Sequence, residues 1–317
     1  MKLRKAALGL LLIFALYVGL LLWGDRQYQV LQHGTDVAKV LPWLALVSLV
    51  SYGLRYARWH GLLAWMGYAT PWVRGFLAYL SGFAFTATPG KVGELVRIRF
   101  LQPMGVAPKD VISAFILERA LDLVAVLALS LLAVGHGHLF WLALAFVVCF
   151  VVLIGLMILF PAPLRLMAKA MNSIGWTWGG NAIVHLSHAF LDLRRWTLKQ
   201  WAISFAWGLV AWMVTSAGFL MVLHSLQIQW HDLAALSIYP LAMLVGAASM
   251  LPGGVGSTEA AIVVQLQWQG VPTSLALLAA VAARIGTMWF AILLGFLSIL
   301  KLETGDQSGQ LQSKGQP

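Results

Sequence analysis

Two apolar stretches of this chain are interrupted by almost the same hexapeptide. One reads Thr88-Pro89-Gly90-Lys91-Val92-Gly93 and the other Leu251-Pro252-Gly253-Gly254-Val255-Gly256. Proline removes a backbone donor and stops a helix, while glycine tolerates the left-handed backbone of a sharp turn. Each break therefore leaves unpaired N–H and C=O groups inside apolar sequence. A bilayer tolerates such groups only where protein or a polar cavity surrounds them. Matched breaks at corresponding places in two halves of a membrane chain are the pattern of a ligand site near the bilayer midplane.

Composition says why a bilayer is the right frame. The chain is 61% hydrophobic and 10% charged, with a mean hydropathy of +0.84. A soluble domain cannot hide that much apolar surface, so the expected class is an all-α polytopic membrane protein. Lys2, Arg4 and Lys5 precede an apolar run to Trp23, which has the outline of a signal peptide. The run is too long for one, and Trp23-Gly24-Asp25-Arg26 offers no small-residue cleavage site, so an uncleaved first helix is expected. A single integral membrane domain over 1–302 follows, with 303–317, rich in Gln, Ser and Gly, as a disordered tail. The net charge of +10 does not indicate nucleic acid, because the basic residues fall in short loops between apolar runs. The lone Cys149 excludes a disulfide framework or a cysteine metal site.

Full spans are expected at about 6–24, 40–60, 111–134, 139–160, 200–223 and 275–300, each long enough for a ~30 Å hydrocarbon core. The segments 75–100 and 233–268 hold the Pro-Gly breaks and are expected to be re-entrant hairpins. With both termini cytoplasmic, the inner side gathers most of the Lys and Arg residues, among them Arg55, Arg58, Arg74, Lys91, Arg97 and Arg99. The outer side keeps Arg26 and Lys39, and Arg119 and Arg284 fall within spans. That bias selects the topology. The first hairpin then enters from the cytoplasm and the second from outside, so 40–134 returns as 200–300 in inverted orientation. Within 161–199, Ile183, Leu186, Phe190, Leu193 and Thr197 recur at helical spacing, as in an interfacial helix at the cytoplasmic face.

The charged and broken positions are the candidates for chemistry. Pro89 and Pro252 end helices; Gly90, Gly253 and Gly254 bring bare backbone close to a ligand. A half-helix restarting after each break would present free N–H groups and a positive dipole end to an anion. Lys91 is placed to meet that anion. Glu94 and Arg97 share a helix face, although Arg97 and Arg99 also suit a basic cytoplasmic loop. Glu118, Arg119 and Asp122 lie inside the third span, where a charge costs about 2.5–3.5 kcal/mol on insertion scales. They must face protein or water, either as a cavity wall or ion-coupling site or as a structural ion-pair knot. After the second break, Ser257 or Thr258 would cap the new helix. Glu259 would favour its first turn or pair with Arg284. Arg284 sits between Ala282-Ala283 and Ile285-Gly286, so it needs a carboxylate or a phosphate as partner. His185, His188 and Asp192 share a stripe but lack a further ligand, and no metal or cofactor is expected. No Walker A motif, GxGxxG, nucleophile elbow or HExxH occurs, so no enzymatic activity is expected.

The stretches 88–94, 118–122 (Glu-Arg-Ala-Leu-Asp), 251–260 and 282–286 (Ala-Ala-Arg-Ile-Gly) resemble the transmembrane family of lysylphosphatidylglycerol synthase, the flippase-like domain family. The resemblance runs over nearly the whole chain. In bifunctional members the membrane part is thought to translocate a lipid that a soluble domain aminoacylates. This sequence shows no such soluble domain, so the resemblance implies a stand-alone lipid translocator of the bacterial inner membrane without synthase activity. Its partners would be membrane lipids with anionic head groups. Lys91 and Arg284 would contact the phosphate, and Glu94, Glu118, Asp122 and Glu259 would pair with them or carry a coupling proton. The alternatives are a non-catalytic subunit supporting a separate lipid-modifying enzyme, and an integral membrane enzyme acting on a lipid phosphate.

Overall fold

The computed structural model describes residues 34–131, 162–177, 196–229 and 234–314, with isolated positions at 15–19, 141–160 and 179–187. The expected spans 6–24 and 139–160 fall mostly outside the described residues. So do His188, Asp192 and most of the expected interfacial helix.

Regular structure among the described residues is helical throughout. The long elements are α1 (Gly34–Trp65), α4 (Pro108–Ser130) and α6 (Leu198–Ser225). A last run joins α9 (Thr273–Arg284), a π turn (Ile285–Trp289) and α10 (Phe290–Lys314). Three of these, α1, α6 and the α9–α10 run, are long and apolar enough to cross a membrane. Their outer faces expose Trp43, Leu46 and Val50, Val210 and Met213, and Leu293, Leu297 and Leu300. Large apolar side chains displayed along a helix suit acyl chains as surroundings. Pro108 stands in the first turn of α4, where its missing N–H costs nothing, and the 23 residues of α4 reach about 34 Å.

Between these lie two broken hairpins. The first is α2 (Trp72–Ser81) with a 3-10 turn (Gly82–Phe85), then a 3-10 segment (Pro89–Arg97) and the short α3 (Ile98–Leu101). The second is α7 (Ala235–Ala248), a turn at Pro252–Gly254, then α8 (Ser257–Gln267). At 1.5 Å per residue α7 and α8 rise about 21 and 17 Å, well short of a ~30 Å hydrocarbon core, and they pack against each other. The breaks fold alike. Thr88 (φ −75°, ψ 149°) and Leu251 (φ −68°, ψ 148°) are extended before proline, as the proline ring requires. Gly90 (φ 61°, ψ 11°) and Gly253 (φ 63°, ψ 9°) then turn left-handed. The two breaks touch, and a Cβ on Gly253 would lie 3.3 Å from Ala87 and 3.0 Å from the Met288 sulfur.

Each hairpin has its own packed core. Tyr56, Trp59 and Leu63 of α1 and Val111 and Ala114 of α4 pack with α2 and α10 around the first. Val40 and Leu44 of α1 and Ala125 and Leu129 of α4 pack with α6, α7, α8 and α9 around the second. Thus α1 and α4 run through both cores and set the hairpins side by side. The π turn adds a further tie: the Gly286 and Thr287 carbonyls accept Ser48 Oγ (2.7 Å) and Tyr52 OH (2.6 Å) from α1.

The last helix, α10, is drawn through to Lys314. The 161–199 segment begins with a helix, α5 (Ala162–Ser173), that buries Leu164 and Ala168.

Candidate functional site

Ser48, Ser51, Tyr52, Arg55 and Arg58 follow one another at helical spacing along α1 and all are buried. Arg55 and Arg58, expected toward the cytoplasmic end of the 40–60 span, sit inside the protein, because α1 runs on to Trp65 and turns this face toward α4. There Asp122 accepts Arg55 Nη1 at 3.0 Å, Arg58 Nη2 at 2.8 Å and Arg119 Nη2 at 3.4 Å. Glu118 accepts Arg58 at 3.3 Å, Arg97 at 3.4 Å, Arg119 at 3.2 Å and the Tyr79 hydroxyl at 2.6 Å. Glu94 accepts Arg97 at 2.6 Å and Thr86 at 2.9 Å.

Of the two readings of Arg97, the structure has the one in which it shares a face with Glu94. It is fully buried, with its guanidinium 4.5 Å from the Trp59 ring and 4.6 Å from Tyr79. Arg99, two residues on, keeps a largely exposed side chain and pairs with Glu303 at 3.0 Å. Buried charges persist only when partners surround them, and this network supplies those partners from α1, α4 and the first hairpin.

Lys91 stands apart. It makes no hydrogen bond or ion pair with a described residue through its half-buried side chain. Its backbone is left-handed (φ 56°, ψ 21°), a conformation costing a non-glycine residue roughly 1–2 kcal/mol. The equivalent position in the second hexapeptide is Gly254, also left-handed at φ 64°. Strain of this kind clusters at functional positions.

The second break is closed differently. Arg284 donates from Nε to Glu259 at 2.9 Å and from Nη2 to the Gly253 carbonyl, which clamps the break to α9. Glu259 uses its other oxygen to accept the Gly256 N–H at 2.7 Å. The α8 start is thus capped from within the first turn, and neither Ser257 nor Thr258 serves as the cap. Ser257 instead donates to the Gly254 carbonyl at 3.1 Å, and the buried Thr258 hydroxyl has no described partner. The anion at this half-helix start is the chain's own Glu259.

Two joined chambers open between these elements. The inner one, about 110 Å³, is lined by Arg55, Lys91, Arg119 and Arg284, by Glu94, and by hydroxyls including Ser51, Thr86 and Thr215. The outer one, about 270 Å³, shares Thr86, Lys91, Arg119, Trp212, Met243 and Gly253 with it. Its other walls are largely apolar, with Leu123, Val126, Leu244, Ala247, Met250 and Leu251. Met250 is 64% exposed and Leu251 48% exposed, so this chamber reaches the surface.

Of the residues singled out in the sequence, Lys91, Glu94, Arg119, Gly253 and Arg284 meet at the inner chamber. Gly90, Asp122 and Gly254 line the outer one. Glu118 and Glu259 line neither and act behind the walls. Sequence reasoning missed Arg55, Arg58, Trp212 and the hydroxyls of α1 and α6; the polar stripe at helical spacing along α1 was the available signal. No group of side chains suited to a metal ion occurs among the described residues.

The family model described as "Lysylphosphatidylglycerol synthase TM region" matches residues 6–295. No curated protein matches the chain.

Proposed function

The chain belongs to the lysylphosphatidylglycerol synthase transmembrane family, and from that membership and the chambers we propose that it translocates an anionic, phosphate-bearing lipid across the bacterial inner membrane. The observation that carries the reading is Lys91, a cation without a described partner, on strained backbone, where a chamber holding charged groups and hydroxyls meets a more apolar one. An amphiphile fits that division, with its phosphate inside and its chains in the outer chamber. Lys91 and Arg119 make the first contacts with the phosphate, and Arg284, whose Nη1 reaches the Met243 sulfur at 3.9 Å, adds its charge at the wall. Glu94, Glu118, Asp122 and Glu259 hold the guanidinium groups in place. In this reading the hairpins are re-entrant halves of an inverted repeat, their breaks meeting near the midplane, with both termini cytoplasmic. The work is binding and release, with no bond made or broken.

Proteoliposomes carrying fluorescent phosphatidylglycerol test it. Wild type should move the lipid between leaflets, and Lys91→Gly and Arg119→Gln should each slow that movement about tenfold or more, the scale of one lost charge-assisted contact. Movement undiminished in both variants would sink the reading.

A further inference from the structure

Charge at the chambers narrows the head group, given the lipid-translocation reading above. Arg55, Arg58, Arg97, Arg119 and Lys91 surround only Glu94, Glu118 and Asp122, so five cations meet three carboxylates among the described residues. The Arg284–Glu259 pair is neutral by itself. Donors are left over as well as charge. Arg119 Nε and Trp212 Nε1, on residues that line the inner chamber, are buried and unpartnered among the described residues. A low-dielectric interior does not hold two uncompensated positive charges cheaply.

We infer that the inner chamber is built for a phosphomonoester, a head group that places two negative charges on one phosphate. Such a group carries about −1.5 to −2 charge near neutral pH and three strong acceptor oxygens, which matches the charge excess and gives Lys91 and Arg119 at the wall acceptors to meet. A phosphodiester brings one charge and leaves the chamber cationic. A head group bearing an amine, such as an aminoacyl ester, sets a further cation against Arg55, Lys91, Arg119 and Arg284.

The test uses the full chain in neutral detergent, titrated with short-chain phosphatidate, short-chain phosphatidylglycerol or inorganic phosphate. Thermal stabilisation is the readout, at a pH above the second phosphate ionisation, about 6. Phosphatidate should bind about tenfold or more tightly than phosphatidylglycerol, since one extra charge interacts strongly in such a site. Inorganic phosphate, which cannot use the outer chamber, should bind more weakly than phosphatidate. Lys91→Gly should erase most of the preference for the monoester, and Arg119→Gln reads the same loss if that variant does not fold. Equal binding of phosphatidate and phosphatidylglycerol overturns the phosphomonoester assignment while the anionic-lipid reading stands. No binding of either lipid overturns both. Inorganic phosphate binding as tightly as phosphatidate overturns the lipid as its source.

Discussion

Gly90 and Gly253 take nearly the same left-handed turn, at φ 61° and 63°, each after a proline and an extended residue. Beyond the glycines the two breaks part. At the second, charges match one to one: Glu259 caps α8 and holds Arg284, and Arg284 holds the Gly253 carbonyl. At the first, Glu94 is spent on Arg97 and Thr86, and Lys91 is left without a described partner in the chamber. One backbone device thus serves two ends. The second break is locked by its own residues, whereas the first keeps a cation available to a ligand.

That contrast can be broken from the charged side first. Arg97→Ala strands Glu94 and part of Glu118 in the interior and removes stacking on Trp59 and Tyr79. It should cost about 3–5 kcal/mol, the usual loss for one partner of a buried pair, seen as little folded protein by size exclusion in detergent. Arg284→Gln should cost about 3 kcal/mol, nearer the lower end of that range because it strands one carboxylate rather than two. Its thermal midpoint should fall less than that of Arg97→Ala, and the reverse order would refute the view of the second break as the simpler lock.

The glycines sharpen the comparison at smaller scale. An alanine at either Gly90 or Gly253 bears a left-handed penalty of roughly 1–2 kcal/mol. Gly253→Ala must in addition displace Ala87 or Met288, while at Gly90 the nearest atom is Val92 at 3.8 Å. Gly253→Ala should therefore lower the thermal midpoint more than Gly90→Ala, and equal shifts would mean the breaks do not pack together. The smallest effect has the opposite sign. Lys91→Gly copies Gly254 into the first break and should stabilise the fold by about 1 kcal/mol, while lipid movement falls. Loss of stability in Lys91→Gly would show that the lysine supports the fold instead of a ligand.

Much of the frame was legible in the residues. Both breaks, the helices around them and the Glu259–Arg284 pair follow from proline chemistry, apolar run length and the cost of an arginine in lipid. The interior charges were less legible. Arg55, Arg58 and Arg97 lie near span ends, where basic residues belong by the positive-inside rule, so loop and interior readings share one pattern. Only the face each presents separates them. The cap on α8 was missed because Ser257 and Thr258 are the ordinary choices there, and the carboxylate of Glu259 reached Gly256 first.

What the sequence by itself determined was the solvent and the family. A chain this apolar must satisfy its backbone internally, which dictates helices, and the Pro-Gly hexapeptides dictate where they break. What only the tertiary structure decided was which charges are matched. Arg55 and Asp122 are 67 residues apart in the chain and 3.0 Å apart in space. Pairing depends on distance and burial, and both arise only when α1, α4 and the hairpins pack, because a buried charge is set by the partners around it rather than by its neighbours in sequence.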